Sequence, residues 1–321
     1  MSSKLDSPPT PKAATRDAYG EALAELGAEL EGLVVLDADL SGSTRTKAFA
    51  KAYPERFFNM GVAEANMMGT AAGLAASGLT VFASSFAMFA AGKAWEQVRQ
   101  SICVPELNVK ICATHAGLTV GEDGKSHQML EDITLMRVLP HMTVIVPADA
   151  TEAYQAVRAA AAHEGPVYVR LSRAKTPRVF GEDYRFEIGK GNLLREGNDL
   201  AIVACGIEVD AALEAAGQLA ADGIQARVIN MATIKPLDGD LIEAAARECG
   251  AILTAEEHQT NGGLGSAVCE LVAERCPVPV ARVGVDDTFG ESGGSDELLV
   301  RYGLDANGLV ERARQLLNQA R

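Results

Sequence analysis

Near-continuous apolar runs alternate with alanine-rich stretches of helical length along almost the whole chain, and this alternation leaves few folds open. An apolar run without a polar residue at every second position is a strand buried on both faces, the pattern of a parallel sheet. Residues 33–37, 80–83, 109–114, 142–147 and 167–171 read as such strands, with helices at 17–30, 63–76, 86–103 and 150–163. The rhythm stops over residues 175–191, a polar, linker-like stretch punctuated by Pro177, Gly181 and Gly189. It resumes with strands at 200–204, 226–230, 251–254 and 278–283 and helices at 207–222, 239–249, 263–274 and 306–319. The expected fold is α/β, with two domains over residues 16–185 and 186–321, each a mostly parallel sheet covered by helices. Residues 1–15, with Pro8, Pro9 and Pro11, read as a flexible lead-in. No solenoid-type period is present.

Composition narrows the function. A chain of 321 residues with 48% apolar and 22% charged residues can bury two cores and is not of disordered type. Lys and Arg number 29 against 43 Asp and Glu, and a net charge of −14 argues against nucleic-acid binding, which needs a basic footprint. Neither a signal peptide nor a membrane span is read from the sequence. The six cysteines form no C-x-x-C pair and suggest no metal site; as free thiols, several in apolar runs, they fit a reducing cytoplasm.

In open parallel sheets, ligands bind at the carboxyl ends of the strands. Asp37 and Asp39, His115 and Arg173 fall at such ends. Two further stretches carry chemistry. In Asn59-Met60-Gly61-Val62-Ala63-Glu64-Ala65-Asn66-Met67 a carboxylate stands among apolar neighbours at a helix start. A partly desolvated Glu64 can share a proton with a ring nitrogen; a plain helix-start glutamate facing solvent is the simpler reading of that residue alone. The island His115-Ala116-Gly117-Leu118-Thr119-Val120-Gly121-Glu122-Asp123-Gly124-Lys125-Ser126-His127-Gln128 sets two histidines and two acids in a glycine-shaped loop. Phe86 and Phe89, spaced i, i+3 on the expected helix, are either core or the wall of a flat-ring pocket.

Together these stretches resemble the pyrimidine-binding domain of transketolase and its thiamine-diphosphate relatives, and the second domain resembles the transketolase C-terminal domain. The Gly121-Glu122-Asp123-Gly124-x-Ser126-His127-Gln128 run carries most of the likeness. The resemblance implies roles residue by residue. Glu64 protonates the aminopyrimidine of thiamine diphosphate and so activates it. Phe86 and Phe89 wall the ring, with Phe82 a candidate for an aromatic missing at Ala83, and Asp39 lies against the cofactor. Asp123 bonds a substrate hydroxyl and His127 contacts the donor end. Arg16, Ser43, His115 and Arg173 hold the substrate phosphate. Ala116, Lys125 and Ala65 depart from the family's pattern. The run Glu256-Glu257-His258, followed by Asn261-Gly262-Gly263-Leu264-Gly265, is implied to be structural and away from the chemistry.

Whole transketolases also carry an N-terminal diphosphate-binding domain with a Gly-Asp-Gly…Asn motif, which this sequence lacks. The resemblance therefore implies the C-terminal subunit of a split transketolase. A separate N-terminal subunit would hold the diphosphate and its Mg2+ or Ca2+; this chain would hold no metal. Self-association to a homodimer, a heterotetramer with the partner, and sugar-phosphate substrates of pentose-phosphate type follow. Three alternatives stand: the β subunit of a 2-oxo-acid dehydrogenase, half of a deoxyxylulose-phosphate synthase, and a non-catalytic dimeric scaffold of the same fold.

Overall fold

The computed structural model describes residues 12–320; most of the expected lead-in, residues 1–11, lies outside them. The strands are β1 (Ala13–Ala14), β2 (Leu33–Asp37), β3 (Phe57–Asn59), β4 (Thr80–Phe86), β5 (Val109–Thr114), β6 (Thr143–Ile145), β7 (Val167–Arg170) and β8 (Lys175–Thr176). They continue with β9 (Asn192–Arg195), β10 (Leu200–Ala204), β11 (Ala226–Asn230), β12 (Thr233–Lys235), β13 (Ile252–Gln259) and β14 (Val280–Val285).

Two sheets form. One has the order β12-β6-β7-β5-β4-β2-β3, the other β14-β13-β10-β11-β9. Strands β2 to β7 pair in parallel, as do β10, β11, β13 and β14. The buried runs Leu33–Asp37, Val109–Thr114 and Leu200–Ala204 are apolar or small at nearly every position because helices cover both faces. The chain is thus two mostly parallel α/β units, as expected from the alternation.

Three features were not anticipated. First, Ala13 and Ala14 are not lead-in: they pair antiparallel with Thr176 and Lys175, and Thr15, which opens helix Thr15–Glu29, is buried. Thr15 Oγ1 accepts from the Ser172 amide at 2.7 Å, which fixes the start of that helix beside the end of β7. Second, the stretch after β8 is an ordered strap. Its Val179 and Phe180 amides donate to Asp149 Oδ2 at 2.6 and 2.9 Å, and the Phe180 and Tyr184 rings stack at 3.9 Å. Third, β12, from beyond the strap, pairs antiparallel with β6 and so completes the first sheet's edge. One apolar cluster follows the same join, running from Val144 and Tyr168 to Val203, Ile229 and Ile234.

The expected helix from Phe86 onward is also corrected. Phe86 ends β4, and the helical segment begins after it with a π-helical turn, Met88–Lys93. Phe82 is fully buried under Tyr19, ring centroids 6.5 Å apart, four residues or roughly 13 Å back along the strand. It cannot replace the aromatic missing at Ala83, which is itself in the core.

Candidate active site

The sheet order β7-β5-β4-β2-β3 places the expected residues side by side along one carboxyl edge. Arg173 follows β7, His115 follows β5, Phe86 ends β4, Asp39 and Ser43 follow β2, and Glu64 comes after β3. His115 and Asp39 hold left-handed backbone, φ 57° and 64°. Non-glycine residues adopt that conformation at a cost and cluster at functional sites.

Glu64 opens helix Glu64–Ala76 with its side chain 2% exposed. Lys93, at the end of the π-turn that carries Phe89, donates to Glu64 Oε2 at 2.6 Å. The other oxygen, Oε1, has no hydrogen-bond partner among the described residues. Lys93 escaped the sequence reading because a lysine 55% exposed and 29 positions away carries no local signal.

Phe89, on the same π-turn as Lys93, belongs to an aromatic group. Phe86 and Phe89 lie nearly parallel, 6.1 Å apart at 16°. The His115 ring stacks on Phe86 at 3.8 Å. His127 meets both phenylalanines edge-on, at 6.2 and 5.6 Å. The i, i+3 helical spacing was the wrong basis for grouping the two phenylalanines: a strand end and a π-turn bring them together. An open carboxylate oxygen and stacked aromatic faces, linked by the π-turn that carries both Lys93 and Phe89, are groups that fit an aminopyrimidine, so the residues present suit that half of thiamine diphosphate.

His115 also belongs to a cationic cluster that adjoins this aromatic group. Arg16 Nη1 donates to the Ser43 carbonyl at 3.1 Å and to His115 Nε2 at 3.0 Å. Because a guanidinium cannot accept, His115 Nε2 is the acceptor, and Nδ1, 2.8 Å from Thr114 Oγ1, carries the proton. Burial first, then the charges of Arg16, Arg173 and Arg45, push the imidazole down to about 3, so it is neutral. Arg45 was not foreseen; it donates to the Gly42 carbonyl at 3.2 Å and pairs with Asp17 at 2.6 Å. The Ser43 hydroxyl is not part of the contact; its carbonyl is. Arg173 turns toward the glycine-rich loop: Nη1 donates to the Val120 carbonyl at 2.6 Å and lies 3.6 Å from carboxylate oxygens of Glu122 and Asp123. Asp39 Oδ1 accepts from Asn59 Nδ2 at 2.9 Å, which ties the loop after β2 to the one after β3.

The Glu256 to Gly265 run divides. Glu256 is architectural: its two oxygens accept the Leu264 and Gly265 amides at 2.7 Å and cap helix Leu264–Arg275. Glu257 accepts from the Thr119 amide at 2.5 Å, inside the loop that carries Asp123 and His127.

Comparison with known proteins agrees with this fold. The family described as transketolase, pyrimidine binding domain matches residues 11–178, and the transketolase C-terminal domain matches residues 189–309. The chain belongs to the transketolase family. A putative transketolase C-terminal section of Methanocaldococcus jannaschii is 53% identical over 300 residues, covering 92% of this chain and 94% of that protein. A solved split-gene transketolase, described as an inactive β4 tetramer, superposes with TM-score 0.90 at 56% identity, covering 97% of this chain and all of that one. The transketolase of Leishmania mexicana superposes with TM-score 0.82 at 26% identity, over 99% of this chain but 47% of that enzyme. Transketolases are thiamine-diphosphate-dependent transferases. Among the described residues, no helix is long and apolar enough to cross a membrane.

Proposed function

We propose that this chain is the C-terminal subunit of a two-subunit transketolase, moving a two-carbon ketol unit from a ketose phosphate to an aldose phosphate. The observation that carries the reading is the single carboxyl edge that carries an open Glu64 oxygen, the Phe86–Phe89 pair, and an Arg16–His115–Arg173 cluster joined to Phe86 through the stacked His115 ring. The similarity to a split-gene transketolase, and to 47% of a whole one, supports a separate subunit that binds the diphosphate with Mg2+ or Ca2+. The β4 state of that relative supports self-association of this chain.

Thiamine diphosphate, when bound, supplies the electron sink for breaking the carbon–carbon bond beside the ketose carbonyl. Glu64, pinned through Oε2 by Lys93, uses Oε1 to share a proton with the pyrimidine ring. Phe86 and Phe89 fix the plane of that ring. His127, on the edge of both, and Asp123 orient the hydroxyls of the ketose. Arg16 and Arg173 take the phosphate, with guanidinium forks suited to it. His115 joins them by carrying its proton on Nε2 once the anion takes over Arg16's hydrogen bond.

A ketol-transfer assay with thiamine diphosphate and magnesium tests this, on the chain alone and mixed with a diphosphate-binding transketolase subunit. Activity in the mixture alone is expected. Activity of the isolated chain, or a mixture that uses only 2-oxo-acid donors, would overturn the proposal.

A further inference from the structure

The loop of residues 117–128 has no secondary structure of its own to hold its shape beyond short 3-10 turns broken at Gly121 and Gly124. Its backbone is nevertheless tied at three consecutive residues. Gln128 Nε2 donates to the Leu118 carbonyl at 3.0 Å and to the Glu291 carbonyl at 2.9 Å. At Thr119, the amide donates to Glu257 Oε1 at 2.5 Å and the carbonyl accepts from Ser295 Oγ at 3.0 Å. The Val120 carbonyl accepts from Arg173. Glu257, Glu291 and Ser295 all belong to the second domain, so that domain is the mould in which the loop is cast.

Glu257 sits at the centre of the mould. It is 3% exposed on β13, and its own carbonyl accepts from Arg170 Nη2 at 2.8 Å, so its main chain is tied to the first domain as well. Arg170 is in turn paired with buried Asp132 at 2.8 Å. The carboxylate lies directly under Gly117, where φ is 85° and any Cβ would overlap it. A side chain at 117 would lift the loop off the carboxylate, and loss of the carboxylate would leave the Thr119 amide buried without an acceptor.

We propose that Glu257 is a positioning residue: from the second domain it fixes Thr119 and thereby the stance of Asp123 and His127 toward the ketose donor. This deepens the proposed function and rests on it for the roles of those two residues. Glu257 touches neither substrate nor cofactor; it acts through the loop.

Amide hydrogen exchange on the chain alone, across residues 117–128, tests the clamp without requiring activity. Glu257→Ala is expected to speed exchange there by about tenfold or more, and Glu257→Gln, whose amide oxygen still accepts from Thr119, to stay within about threefold of the parent. Unchanged exchange in Glu257→Ala, or equal acceleration in both variants, overturns the inference. Should Glu257→Ala fail to fold, Ser295→Ala removes the neighbouring bond to the Thr119 carbonyl; faster exchange at residues 119–121 supports the mould and unchanged exchange refutes it. In the assembled enzyme, Glu257→Ala is expected to lower kcat/KM for a ketose phosphate by about tenfold, with thiamine-diphosphate Kd within about twofold. A parallel loss of cofactor affinity would mark a merely structural role and refute positioning. If the assembled parent shows no ketol transfer, the functional reading fails and the exchange arm still decides on the clamp.

Discussion

Replacing Glu152 with glutamine should change the stability of this protein by an amount that depends on pH in a calculable direction. Glu152 is buried in helix Ala150–Ala162 and accepts from three donors: the Ala148 amide at 2.7 Å, Tyr184 OH at 2.6 Å and Asn230 Nδ2 at 2.7 Å. These come from the turn before the helix, the strap and the end of β11, so one carboxylate joins both domains. Burial, only partly offset by those donors, pushes its pKa from 4.5 up to about 7. The folded state therefore holds a proton that the unfolded chain has released, across the window between those values. Its stabilising contribution is fully present below about pH 4.5 and is lost as pH rises through about 7. At about 1.4 kcal/mol per tenfold change in proton affinity, the contribution at pH 5 is roughly 2.5 kcal/mol, and close to zero at pH 8.5. Glutamine cannot titrate, and its amide nitrogen faces one of the three donors, a penalty of about 1–3 kcal/mol at any pH. Urea unfolding by circular dichroism and by fluorescence of Trp95, the chain's single tryptophan, measures both proteins at both pH values. Glu257, also pushed up to about 7 by burial, is common to the pair and cancels. The gap between parent and variant should be roughly 2.5 kcal/mol wider at pH 5 than at pH 8.5. A gap that is constant, or wider at high pH, would refute the reasoning.

Further outcomes follow from the site. Glu64→Gln should lower turnover of the assembled complex by about a hundredfold or more while leaving the far-UV spectrum and melting temperature unchanged. Lys93→Ala leaves Glu64 Oε2 without its partner; turnover should fall by about three- to thirtyfold. The melting temperature should barely move, because the lysine is half exposed. Arg16→Ala should raise KM for phosphorylated donors by about ten- to a hundredfold, and spare a donor that lacks phosphate, as read from initial rates. His115, pushed from 6.5 down to about 3, should favour the folded state above about pH 6.5 and lose that contribution as pH falls toward 3. The stability gap between the parent and His115→Gln should shrink accordingly in acid-range unfolding curves.

Much of the architecture was written in the alternation itself. Leu33–Asp37, Val109–Thr114, Ala226–Asn230 and Gly239–Cys249 have the ends that their apolar runs and flanking residues suggest. Of the edge strands of the two large sheets, Val280–Val285 was foreshadowed by the apolar run 278–283, and the other three were invisible for a physical reason. Phe57–Asn59 is short and largely exposed, Asn192–Arg195 is only partly buried, and Thr233–Lys235, though largely buried, is three residues long and too short to show a pattern. Phe86 shows how an alanine-rich run misleads: the residues after it are helical, yet its own place is fixed by pairing with Thr114. In the site, the glycine-rich loop and the residues at strand ends could be located because topology sends them to one edge. The contacts between them could not. Lys93 reaches Glu64 across 29 positions, and Glu257 reaches Thr119 across 138, distances over which neither periodicity nor spacing carries information.

The antiparallel join of β12 to β6 has a bearing on where a protein of this kind can be cut. A break in the strap would separate the sequence into its two apparent halves, yet β6 would lose its outer neighbour and bare its backbone donors and acceptors. Such an open, apolar margin is an invitation to aggregation. It would also sever the cluster that runs from Tyr168 to Ile229. The seam between the domains is thus made of backbone pairing as well as of side chains.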